Sequence, residues 1–358
     1  MQTRRVFFTA TLMPNDGILI AGGVSDPTVA GQALSSAEVY APNGNRDYFS
    51  PSMAIGRAEH TATLLRNGQV LVAGGYSRLG SASLASADLY TPAPGPSEPG
   101  LWSSAAPLSH GRSGHAAVLL ADGRVLVTGG AAFPAIGISP GGAAPARLPA
   151  EIYDPMTNSW SDAATPALDR PANPTATLLN NGRVLVAGGQ YMWNSCEEAF
   201  ERAEIYDPKS NTWSFATPEV LIGALQYHAA ASLKDGRILF TGGSRDLQPT
   251  GYASIYNPSS DSWTKVAPMN EPRCGHGAEL LPATGNVLVV GGGCWSEPDS
   301  ATAEQYVPSE NRWYRMPSMG SPRGYAVTVN LNNGIVFVFG GMHQGVTSAE
   351  VDVYYSTF

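Results

Sequence analysis

The chain has 358 residues, 43% of them apolar and only 14% charged, with 40 glycines and 28 prolines. That mixture supplies a full core and suits many short strands joined by tight turns, which excludes a helical or disordered protein as the expectation. The net charge is −8, and 3 of the 21 basic residues are lysines, so no basic stripe is available to a phosphate backbone and nucleic acid is not an expected partner. No apolar run approaches the ~18 residues that a membrane span needs. The opening MQTRRVFFTATLM imitates a signal peptide, but it aligns with the first strand of every later repeat and is read as that strand.

In chain order, an apolar β-rich run ending in Gly-Gly recurs seven times, with first glycines at 22, 74, 129, 188, 242, 291 and 340. A repeat of this period announces a propeller or solenoid. Upstream of each pair lies a turn dipeptide: Asp16-Gly17, Asn67-Gly68, Asp122-Gly123, Asn181-Gly182, Asp235-Gly236, Thr284-Gly285 and Asn333-Gly334. Asn-Gly and Asp-Gly between apolar runs predict a hairpin, because both central residues tolerate positive φ. Downstream comes a tyrosine and then a tryptophan: Tyr90 and Trp102, Tyr153 and Trp160, Tyr206 and Trp213, Tyr256 and Trp263, Tyr306 and Trp313. The text between them, as in YDPMTNSW, is a turn opened by Asp/Asn-Pro. Each unit therefore reads as four strands: a before the Asp-Gly turn, b ending in Gly-Gly, c ending in Tyr, and d beginning near Trp. The repeats cover approximately 1–53, 54–108, 109–166, 167–218, 219–269, 270–319 and 320–358.

Gly-Gly, spaced Tyr and Trp, and an Arg-x-x-His start together resemble the kelch repeat family, in its bacterial form, over essentially the whole chain. The resemblance implies an all-β, seven-bladed β-propeller of four-stranded blades, residues 1–358 forming one domain. Tyr and Trp are then packing between blades, not a ligand box. Only Tyr355, Ser356, Thr357 and Phe358 follow Tyr354, and four residues precede Arg5. The seventh blade either has three strands or is completed by a longer parent chain or a partner. Residues 349–355 would then form an open edge that invites an added strand.

The b–c loops span 13 to 23 residues between Gly-Gly and Tyr, and variable loops on a rigid scaffold are where function concentrates. The face carrying the b–c and d–a loops is the expected working face. At the start of strand a, by the central channel, stand Arg57 with His60, Arg112 with His115, and Arg273 with His276. Arg5 and Arg323 take the Arg slot in the first and last repeats, and His228 takes the His slot in the fifth. The family uses this Arg to bond carbonyls of adjacent blades and loops. The rival reading is a ring of guanidiniums, Arg57, Arg112, Arg273 and Arg323, converging on a pocket for carboxylates or sugar hydroxyls. Two loops add aromatics and carboxylates at the rim: Trp193 with Glu197 in QYMWNSCEEAFER, and Trp295 in the sixth repeat. Such a rim suits a protein hot spot or sugar stacking, or packs over its own blade end.

Two fragments resemble the radical-copper oxidases related to galactose oxidase. Tyr227-His228 is similar to their Tyr-His copper pair, and Arg323-Gly324-Tyr325 to the segment with their cross-linked tyrosine. Cys274 lies two residues before the slot of the cross-linking cysteine, the blade order differs, and no second domain brings another histidine. The leading expectation is therefore a non-catalytic recognition or scaffold module without a cofactor, binding a protein or glycan and standing alone or within a larger assembly. An enzyme on a kelch propeller, a copper oxidase or a sugar-converting enzyme, is the alternative. Cys274 and Cys294 are expected to face each other across the sixth a–b hairpin, if Ala283-Thr284-Gly285 forms a three-residue turn, and to bridge. The bond would point to an oxidising compartment, extracellular or periplasmic, leaving Cys196 as the odd thiol.

Overall fold

The computed structural model describes the chain except residues 28–30, 43–47, 96–98, 133–146, 169, 171–172, 190–201, 218–225, 246–247, 294–297, 332 and 356–358. Six four-stranded antiparallel sheets and one three-stranded sheet follow one another in chain order. Blade one comprises Thr9–Leu12, Ile18–Ala21, Ala37–Tyr40 and Tyr48–Ser50, and blade six comprises Gly277–Leu281, Asn286–Val290, Ala303–Val307 and Arg312–Met316. The a strands neighbour one another round a closed ring, with Thr9–Leu12 touching Val327–Asn330 of the last blade. The chain is a seven-bladed β-propeller.

Strand b is buried along its whole length in the first five blades, which is why it reads as continuous Val, Leu and Ile rather than alternating. The cores lie between blades. Leu185 and Ile205 of blade four meet Ile238 and Phe240 of blade five, and Val329, Phe337 and Phe339 of blade seven meet Phe8, Ile18 and Ile20 of blade one. Each repeat cannot bury its sheet alone, so neighbours supply the missing face. Tyr153 and Trp160 pair across strands c and d with ring centroids 5.1 Å apart. Trp160 Nε1 donates to Ala106 O of the preceding blade at 2.8 Å, and Asn158 Oδ1 accepts from Tyr153 Oη and Ala106 N. The Tyr-x₆-Trp turn is thus an inter-blade clamp, with its Asn in the left-handed region at φ 47°.

Three sequence expectations are refined. Most a–b turns are three-residue turns in which only the glycine is left-handed; Leu65 N bonds Gln69 O around Arg66-Asn67-Gly68, with Gly68 at φ 83°. In blade six the turn has four residues, since Leu281 pairs with Asn286 and Gly277 with Val290. That register puts Cys274 across from Gly293, whose N–H donates to Cys274 O at 2.8 Å, rather than across from Cys294. Cys274 is nevertheless in a disulfide, and its Sγ lies 3.3 Å from Gly293 O. The partner cysteine lies outside the described residues, as both Cys196 and Cys294 do. Strand pairing ends at Val290 and two left-handed glycines follow, so strict alternation of faces ends there. Blade seven contains Val327–Asn330, Ile335–Phe339 and Val351–Tyr355 only, and no fourth strand pairs with Val351–Tyr355 among the described residues.

Candidate functional site

The repeated arginines do not converge as free donors. Arg57 is fully buried; its Nη1 donates to Gly74 O and Ser86 O at 2.8 and 2.9 Å, and its Nη2 to Asp88 at 2.6 Å. Arg112 donates to Gly129 O, Pro149 O and Glu151, and Arg273 to Gly291 O, Thr302 O and Glu304. Arg323 bonds Glu350 and Asp352. Arg5 with Glu38 and Arg170 with Glu204 complete the series. Arg5, Arg57, Arg112, Arg170 and Arg273 each staple the end of strand b to strand c of their own blade, while Arg323 bonds the strand-c side alone. The pocket of arginine forks expected for a carboxylate or sugar is thereby corrected, because the terminal guanidinium nitrogens bond within their own blades. Each carboxylate is filled as well: Glu151 also accepts the N–H groups of Ser109 and His110 in the preceding d–a loop.

The histidines belong to the channel wall. His60 Nε2 lies 2.9 Å from Thr9 Oγ1, His115 from Thr61, and His228 from Thr175 at the same distance, while His276 lies 2.8 Å from Thr241. Burial, with an arginine nearby, holds His60 and His276 well below the usual histidine range and His115 down to about 3. Two carboxyl groups move the other way: burial pushes Glu59 and Glu279 up to about 7, against a hydrogen bond from Thr328 Oγ1 to Glu279.

These shifts have opposite consequences for stability. The histidines have folded pKa values below the unfolded one, so their contribution is present above about pH 6.5 and is lost as pH falls. Glu59 and Glu279 hold a proton in the folded state that the unfolded chain releases near 4.5, so their contribution is full below that value and is lost as pH rises through 7. Glu279→Gln keeps an acceptor for Thr328 without the titration. Its melting temperature should match the wild type near pH 5 and exceed it by roughly 2–4 °C near pH 8. Parallel pH curves for the two proteins would contradict this assignment.

The residue between the repeated Arg and His slots builds the axis. Phe7, Glu59, Gly114, Asn173, Tyr227, Gly275 and Tyr325 occupy one position in the seven blades, and all have left-handed backbone, with φ from 52° to 62°. Backbone hydrogen bonds link them into two arcs, Phe7 to Asn173 and Tyr227 to Tyr325. Glu59 N donates to Phe7 O, Gly114 N to Glu59 O, Asn173 N to Gly114 O, Gly275 N to Tyr227 O, and Tyr325 N to Gly275 O, at 2.6–3.0 Å. Five non-glycine residues in this region represent backbone strain, and such strain gathers at functional sites. Tyr325 crosses above Gly275 and meets Tyr227 edge-on at 5.4 Å and Phe7 at 5.6 Å. The side chains divide the axis into two cavities. The upper, about 270 Å³, is lined by Phe7, Glu59, Tyr76, Leu79, Tyr227 and Met342 among others. The lower, about 330 Å³, shares Phe7, Glu59 and Tyr227 and extends to His115, His228, His276 and Tyr325.

Among the expected site residues, the structure brings together Tyr227 and Tyr325 at the axis, with the four histidines below them. Trp193, Glu197 and Trp295 lie outside the described residues. Sequence reasoning missed Phe7, Glu59 and Asn173; their signal is a varying residue inside a constant Arg-x-x-His frame. The copper alternative needs convergent nitrogen and oxygen ligands. The residues present do not fit it: His228 directs Nε2 to Thr175 and stacks near Phe240, and Cys274 is in a disulfide.

Residues 172–218, 227–270 and 272–320 match the family described as Kelch motif. Kelch-like protein 23 of Homo sapiens is 26% identical over 249 residues, 68% of this chain and 39% of that protein. Kelch-like protein 36 of Mus musculus is 26% identical over 329 residues, 89% of this chain and 49% of that protein. The chain thus spans half or less of the length of these curated relatives. Among solved structures, a fungal alcohol oxidase of the AA5 family in complex with copper superposes with a TM-score of 0.75 at 18% identity, covering 96% of this chain and 71% of that one. At that identity the likeness concerns the fold.

Proposed function

We propose that the chain, a kelch-repeat propeller, is a non-catalytic recognition module that binds a protein partner across its b–c face. One observation carries this reading: the polar residues that recur from repeat to repeat are spent on the scaffold, while the b–c loops differ from blade to blade. The arginines, their carboxylates and the histidines are bonded inside or between blades. On the b–c side, Leu79 and Val346 are 58% and 59% exposed, and large apolar side chains surrounded by polar loops suit a partner's hot spot. A glycan is the alternative ligand class for the same face. The Cys274 disulfide supports an oxidising compartment, extracellular or periplasmic.

Affinity capture with cross-linking and mass spectrometry tests the face. Leu79→Asp and Val346→Asp should each reduce recovery of the specific partner by about tenfold. Met156→Asp, at a 94% exposed position in a c–d turn on the opposite face, should leave recovery unchanged. Loss with Met156→Asp alone would move the interface elsewhere. Peroxide release from alcohols by copper-supplemented protein would overturn the non-catalytic reading.

A further inference from the structure

We propose that the upper axial cavity binds a small quaternary or tertiary organic ammonium group, held between Phe7, Tyr76 and Tyr227 with the Glu59 carboxylate as counter-charge. The cavity shares Leu79 with the face proposed for the partner, but its ligand is argued from the axial residues Phe7, Glu59, Tyr76 and Tyr227 and does not rest on that reading.

The carboxylate is the first reason. Glu38, Asp88, Glu151, Glu204 and Glu304 are each paired with a buried arginine. Glu59 has no such partner, and among the described residues no hydrogen bond reaches its side chain. Among the described lining residues there is no lysine or arginine, and Asp26 is the other acid there. Burial alone pushes the Glu59 carboxyl up to about 7, and among the described residues no basic side chain pairs with it.

The walls are the second reason. Phe7, Tyr76 and Tyr227 line the cavity from blades one, two and five, with Leu79 and Met342 filling between them. Aromatic rings offer a negative face to a cation, best when the cation carries methyl groups that the apolar wall can cover. A hard metal ion is a poor match, because calcium takes six to eight oxygen ligands and the lining offers two carboxylates. A sugar is a poor match as well, since the described lining has few donors and acceptors besides the acids and phenols. A volume of about 270 Å³ accommodates a group the size of choline.

The third reason is placement. Glu59 is set in left-handed backbone at φ 52°, its N–H bonded to Phe7 O and its C=O to Gly114 N. Backbone bonds hold Phe7 to Glu59 and Tyr227 to Gly275, so the cage is preorganised rather than assembled by the ligand.

Isothermal titration of the whole chain tests the assignment with three probes: choline, a trimethyllysine peptide, and the uncharged tert-butyl isostere of choline. Saturable binding of at least one ammonium is expected, with the isostere weaker by about tenfold or more. Whichever ammonium binds more tightly identifies the source, a free metabolite or a modified protein tail. Glu59→Gln and Tyr227→Leu, each checked for an unchanged melting temperature, should weaken binding by about tenfold. The isostere comparison uses only the wild type, so it stands if a variant fails to fold. Absence of saturable ammonium binding, equal binding of the isostere, or full binding by folded Glu59→Gln would overturn the proposal.

Discussion

Replacing Arg112 by methionine is expected to lower the free energy of unfolding by about 3–5 kcal/mol, the usual cost of leaving one half of a buried ion pair alone. Arg112 and Glu151 are both completely buried, and the guanidinium also satisfies Gly129 O and Pro149 O. The substitution leaves a buried carboxylate and two carbonyls without their donor. Blade five shows how the repeat manages without the pair: the sequence has Leu225 in the arginine slot and Ser254 in the carboxylate slot. The double variant Arg112→Leu/Glu151→Ser should therefore lose less than Arg112→Met alone, despite carrying two changes. Urea unfolding of the single and double variants measures this. A double variant less stable than the single one would show that the cross-link, rather than charge compensation, carries the stability.

Gly22→Ala should cost about 3 kcal/mol or more, because two penalties coincide. The residue has φ 65°, and a Cβ there would lie 2.3 Å from the Arg57 carbonyl oxygen of the next blade. That oxygen belongs to backbone, accepts a hydrogen bond from Gly23 N, and cannot move without opening the interface between blades. Gly182 provides the control: it has φ 82°, and no atom lies within 4 Å of the Cβ position. Gly182→Ala should cost only the conformational penalty of about 1–2 kcal/mol. Similar losses for the two alanine variants, read from thermal or urea denaturation, would mean that the close approach is not what selects glycine at position 22.

These glycines explain why the fold was legible. Gly-Gly, Tyr and Trp recur because a fixed inter-blade distance forces the same residue into most repeats, and such residues stand out when repeats are aligned. The carboxylates two residues before five of the tyrosines, Glu38, Asp88, Glu151, Glu204 and Glu304, are almost as regular, but a lone acid on a strand is ordinarily solvated and does not stand out. Their joint absence with the arginine in blade five was the readable sign of pairing. Arg170 was missed because Pro171-Ala172-Asn173-Pro174 follows it without a histidine. The axial residues were harder still. Their shared property is a left-handed backbone, and Phe, Glu, Gly, Asn and Tyr all adopt it here, so no single residue identity marks the position. Blade six erred by one position because a four-residue turn replaces the expected three.

The junction of the last blade with the first carries a consequence for how the ring assembles. Contacts between consecutive blades, such as Thr61 to His115, join residues 54 positions apart, and closing a flexible loop of that length costs about 3.5 kcal/mol of chain entropy. At the junction, Thr347 bonds Ser25 O across 322 positions, Gly341 N bonds Arg5 O, and Arg5 N bonds Ser348 O. In a chain without prior structure that closure would cost about 5 kcal/mol. The difference shrinks as intervening blades dock and carry the two ends toward each other. Six interfaces can thus form by local search, whereas the seventh acts as a latch that gains most when the others are already in place.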